Sequence, residues 1–93
     1  MICEHQKIIE HYGYEHQLQK LVEELRELES VILYDTDNIE HIKEEMADVL
    51  NLINQIMIYK GWHMDIFDIE VFKVNRQLER IKDEIKHNNE GIG

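Results

Sequence analysis

Two carboxylate pairs hold the chemistry this sequence could do. Glu24 and Glu27 stand three residues apart, as do Glu45 and Asp48, and residues at that spacing share a face of a helix. At about 100° per residue, Glu24 falls between Leu28 and Val31, and Glu45 falls close to Val49 and between Leu52 and Ile56. Both therefore lie within apolar arcs rather than opposite them. An ionised carboxylate at the edge of a core costs on the order of several kcal/mol unless it is paired, hydrogen-bonded or bound to a metal. Facing each other across a helical hairpin, Glu24, Glu27, Glu45 and Asp48 would supply an all-oxygen shell. Such a shell suits a hard cation, Mg²⁺ with Mn²⁺ as a substitute, whereas zinc prefers nitrogen and sulfur. The bland reading of a single E-x-x-E pair is a solvated helix face. Two pairs on consecutive helices, both cutting into apolar arcs and separated by a turn, argue for one shared site.

Other residues could serve that site. Lys73, Arg76 and Arg80 form a narrow basic stripe at i, i+3, i+7. It could hold phosphate oxygens through charge-assisted hydrogen bonds or make salt bridges to neighbouring acids; spacing does not choose between them. Gln17 and Lys20 share a stripe with Glu24, Glu27 and Val31, as neighbours of a bound ligand or as ordinary polar surface. The histidines at 5, 11, 16, 41, 63 and 87 form no i, i+4 pair with one another and no H-E-x-x-H motif, so a zinc site is not expected. Cys3, the single cysteine, excludes an intramolecular disulfide and has no local partner to make it a nucleophile. Tyr59 and Trp62 are expected to pack a helix joint or a subunit interface rather than stack a base. With no glycine-rich loop, any phosphate must be bound through metal and side chains.

The elements that must position these residues are helices. Proline is absent, and the four glycines fall at 13, 61, 91 and 93, between long runs of helix formers. Helices are expected over about 3–12, 15–34, 38–60 and 64–88, with a frayed tail from Asn88. Asp35, Thr36, Asp37 and Asn38 form a turn that caps the third helix, Gly61 ends that helix, and Asp65 and Asp68 favour the start of the fourth. Leu18, Leu21, Leu25, Leu28 and Ile32 recur at three- and four-residue intervals, as do Ile39, Ile42, Met46, Val49, Ile53 and Met57, and Phe67, Val71, Val74, Leu78, Ile81 and Ile85. The fold expected is all-α, an antiparallel bundle of about four helices in one domain over 1–93. A chain of 93 residues buries only about 60–65% of its unfolded surface, so its core is thin and completion by oligomerisation is expected.

Charge narrows the partners. Twenty acidic against ten basic residues give a net charge of -10, which repels nucleic-acid backbones and attracts cations. No signal peptide and no apolar run of about 18 residues is visible, so a soluble, cytoplasmic protein with no membrane partner is expected.

The pattern Glu23-Glu24-x-x-Glu27, then residues 28–44, then Glu45-x-x-Asp48 resembles the signature of the MazG-like all-α nucleotide pyrophosphohydrolases. The flanking stretches Tyr12-Gly13-Tyr14-Glu15-His16-Gln17-Leu18-Gln19-Lys20 and Glu44-Glu45-Met46-Ala47-Asp48-Val49-Leu50 are similar to the small phage and bacterial members, and the resemblance covers residues 12–82. It implies Mg²⁺-dependent hydrolysis of a nucleoside triphosphate, a dNTP in the first instance, to the monophosphate and pyrophosphate, by a homodimer or homotetramer. Carried over by position, it makes Glu24, Glu27, Glu45 and Asp48 the metal ligands, Glu23 the residue that orients or deprotonates the attacking water, and Lys73 with Arg76 or Arg80 the basic element that meets the phosphates. Base identity does not carry over. Two rival expectations stand beside it: a catalytically silent helical module that binds a nucleotide or a partner protein, and a purely structural acidic bundle.

Overall fold

The computed structural model describes residues 3–92 and contains four helices: α1 Glu4–Tyr12, α2 Tyr14–Tyr34, α3 Ile39–Lys60 and α4 His63–Ile92. The expected all-α class holds, with each helix within a few residues of its expected span. Helix α4 continues past Asn88 to Ile92; Met1, Ile2 and Gly93 lie outside the described residues.

Local signals account for the joints. Gly13, at φ 96°, ends α1, and its N–H donates to the Ile9 carbonyl at 2.8 Å. Asn38 caps α3, its side-chain oxygen accepting from the His41 N–H at 3.1 Å. This supplies one of the donors a helix start leaves unpaired. Gly61 closes α3 in the left-handed region at φ 69°, and the Trp62 N–H reaches back to the Met57 carbonyl at 2.8 Å. A Cβ at Gly61 would meet nothing within 4 Å, so only the backbone conformation demands glycine there. Gly61→Ala is expected to cost about 1 kcal/mol, read as a fall in Tm of about 4–8 °C for a chain of this size.

The chain divides into two compact units, one up to His63 and one from Met64. In the first, α2 packs chiefly on α3, and α1 lies against both. Ile9 of α1 is fully buried, and the apolar core adds Val31, Val49, Leu52 and Ile56. The buried stripe differs from the expected one. Leu25 is 45% and Met46 47% exposed, because the buried line of α2 runs through Gln17, Glu24 and Val31 and that of α3 through Glu45, Val49, Leu52 and Ile56, so carboxylates one position away occupy the places of core residues. Tyr59 does pack a joint: its ring stacks on Tyr14 at 5.8 Å, with the Lys60 ammonium 4.1 Å from the Tyr14 centroid and 6.0 Å from that of Trp62.

The second unit is α4 alone. Met64, Phe67, Val71, Val74, Leu78, Ile81 and Ile85 follow one another at alternating intervals of three and four residues, the 3.5-residue period of a coiled-coil seam.

Candidate metal centre

The antiparallel arrangement of α2 and α3 brings the two motifs together. One carboxylate oxygen from each of Glu24, Glu27 and Glu45 lies within 4.8 Å of the others. Glu24 is 7% and Glu45 9% exposed, whereas Glu27 is exposed. Ligands of an octahedral Mg²⁺ stand about 3.0 Å apart when adjacent and about 4.2 Å when opposite, so the three oxygens would have to draw together around an ion, a movement open to the exposed Glu27 side chain. Asp48 stands outside this group of three. It lines, with Glu24, Gln17, Lys20, Asn51 and Gln55, an open cleft of about 220 Å³, and its charge reaches Glu24.

The electrostatics are those of a site short of positive charge. Glu24 Oε2 and Glu45 Oε2 are buried with no hydrogen-bond partner among the described residues, a costly state for carboxylate oxygens. Burial pushes the Glu24 carboxyl above its ordinary range; hydrogen bonding to Glu27, the Glu27 charge and the Asp48 charge push the same way, and Lys20 opposes them. Lys20 Nζ lies 3.4 Å from Glu24 and 3.5 Å from Glu23. Its own ammonium is held above the usual range, first by the hydrogen bond to Glu24 and then by the two carboxylate charges. An orphaned buried oxygen on each of two helices, a third carboxylate beside them and an oxygen-only donor set fit a hard divalent cation.

The other expected site residues are placed as follows. Gln17 is buried and Lys20 exposed, and both line the cleft. Glu23 is exposed on α2, ion-paired to Lys20 and outside the three-carboxylate group. Lys73, Arg76 and Arg80 belong to α4, in the second unit. Among the described residues none of the three makes a salt bridge, whereas Lys82 pairs with Glu79 at 3.2 Å, and the Arg76 guanidinium lies 5.9 Å from the Phe72 ring centre.

Three residues at the site escaped the sequence reading. His41 bridges Asp35, through Nδ1 at 3.1 Å, and Glu45, through Nε2 at 3.4 Å. The hydrogen bond to Asp35 raises its pKa most, with smaller contributions from Glu45, Asp35 and Glu44 against the loss of water. The signal was present as a His–Glu pair at i, i+4; a search for paired histidines passes over it. Gln55 is 2% exposed and Asn51 adjoins it in the cleft. Their signal was a polar side chain inside the apolar run Val49, Leu52, Ile56.

Compared with models of known protein families, with curated proteins and with solved structures, the chain matches none.

Proposed function

We propose that this chain is a Mg²⁺-dependent nucleoside triphosphate pyrophosphohydrolase, acting on a dNTP to give the monophosphate and pyrophosphate. The observation that carries the reading is the pair of buried, unpartnered carboxylate oxygens of Glu24 and Glu45 beside Glu27. Glu24, Glu27 and Glu45, with Asp48 next to them, are the residues that hold the ion. A bound Mg²⁺ supplies neutralisation of phosphate charge and a lowered pKa for water at the site. Glu23 takes the proton of the attacking water on a carboxylate oxygen. Lys20 pairs with the Glu23 and Glu24 carboxylates and presents an ammonium to the cleft. Lys73, Arg76 and Arg80 keep the phosphate-binding role of that reading on the sequence pattern alone.

The active form on this reading is a cytoplasmic homodimer or homotetramer. The coiled-coil period of α4 supports assembly. No described helix is long and apolar enough to cross a membrane, and the net charge of -10 disfavours a nucleic-acid substrate. The test is release of monophosphate and pyrophosphate from a panel of ribo- and deoxyribonucleoside triphosphates with Mg²⁺ or Mn²⁺. Turnover without pyrophosphate, or none with any nucleotide, would overturn the reading. The exposed Glu23, ion-paired to Lys20, favours a second one, in which the cleft binds nucleotide without turnover; its mark is a Mg²⁺-dependent rise in Tm with nucleotide and no product.

A further inference from the structure

The cleft beside the carboxylates is walled by amides as well as acids. Gln17 and Gln55 are 4% and 2% exposed, and a buried primary amide is costly unless its hydrogen bonds are met. Theirs are met in series. His16 Nδ1 lies 2.7 Å from Gln17 Oε1; an amide oxygen only accepts, so the tautomer with its proton on this nitrogen is the one that matches the amide as placed. Gln17 Nε2 donates to Gln55 Oε1 at 2.8 Å, and Gln55 Nε2 donates to Asn51 Oδ1 at 3.1 Å. Each link orients the next amide, and as the amides stand the relay runs from His16 to Asn51. It ends at Asn51, whose oxygen is engaged and whose Nδ2 hydrogens have no partner among the described residues.

Asn51 lies three residues beyond Asp48, about 4.5 Å along α3 and on the same face. The cleft they line measures about 220 Å³ and includes the apolar side chains of Ile8 and Leu52. That is below the range of about 300–1,000 Å³ for pockets that enclose whole drug-sized ligands, and it suits one planar base, of one ring or two, with apolar faces. What the wall offers the edge of such a ring is a donor. We propose, on the pyrophosphohydrolase reading, that Asn51, oriented by the Gln17–Gln55 relay, determines substrate specificity by donating to a ring carbonyl oxygen. The substrates are then triphosphates of keto bases. Adenine, the one common base without a carbonyl, is the poor substrate.

The experiment compares kcat/KM for dATP with that for dUTP and dGTP in the wild-type chain, in Asn51→Leu and in Gln55→Glu, each checked by circular dichroism. The wild type is expected to favour the keto substrates by about tenfold or more, the worth of one hydrogen bond in a site built around it. Asn51→Leu should bring the ratio towards one. In Gln55→Glu the carboxylate accepts from Asn51 Nδ2, turns the Asn51 oxygen towards the cleft and shifts the ratio towards adenine. Should Gln55→Glu fail to fold, the exposed Asn51 still gives a testable variant. An active enzyme whose ratio is the same in wild type and Asn51→Leu, or that prefers dATP, overturns this specificity while leaving the metal centre intact. A wild type that turns over no nucleotide overturns both.

Discussion

Glu45→Ala is expected to lower pyrophosphate release by about 10²–10³-fold or more, the scale of losing one preorganised electrostatic element, while the far-ultraviolet circular dichroism stays that of the wild type. The fold should survive because the substitution removes a buried oxygen that no protein group satisfies. Alanine also keeps helix propensity at its highest. The same variant should lose the Mg²⁺-dependent rise in Tm. An undiminished rate would place the chemistry elsewhere on the chain.

Glu24→Gln is expected to separate stability from activity. Glu24 is buried beside two carboxylates, and its carboxyl is raised above the ordinary 4.5, chiefly by burial. Such a group binds its proton more tightly in the folded than in the unfolded chain. Between the unfolded and the folded pKa the native state therefore carries more proton than the unfolded one, and stability falls as pH rises through that window. The metal-free wild type should lose stability upward from about pH 4.5, with Mg²⁺ restoring it at neutral pH. The substituted amide carries no charge and can donate to a neighbouring carboxylate. The variant should be more stable than the metal-free wild type at pH 7 by about 1–2 kcal/mol, lose this part of the pH dependence and fail to turn over nucleotide. Denaturant melts at pH 4, 5.5 and 7, with and without Mg²⁺, measure the first two, and the pyrophosphate assay measures the third. A variant less stable than the wild type at pH 7 without metal would show that the Glu24 carboxylate is not under electrostatic load.

The helices were legible in the sequence because the signals that make them are local: no proline, glycine at the joints, Asn38 as a cap and apolar residues at three and four. The pairing of Glu24 and Glu27 with Glu45 was legible too, since two motifs flanking one short turn must meet in an antiparallel hairpin. What the spacing could not give was the rotation of each helix about its axis. Leu25 and Met46 fit the apolar periodicity as well as Glu24 and Glu45 fit the cut across it, and only the packing of α2 on α3 decides which line is buried. The amide relay was hidden for another reason. Its links join residues 38 positions apart, and no helical period connects Gln17 to Gln55.

Five apolar side chains, Ile9, Val31, Val49, Leu52 and Ile56, share the interior of the first unit with four polar ones, Gln17, Glu24, Glu45 and Gln55. The residues proposed to act are thus nearly as numerous as those that hold the helices together, and each position given to one task is withheld from the other. Stability and activity compete for the same positions where a functional site is built into a core. A copy of this chain selected for stability alone would be expected to acquire leucine, methionine or valine at 24, 45 and 55, and to fall silent as it became hardier. Acids and amides kept in so small an interior would mark a copy held there by what it does.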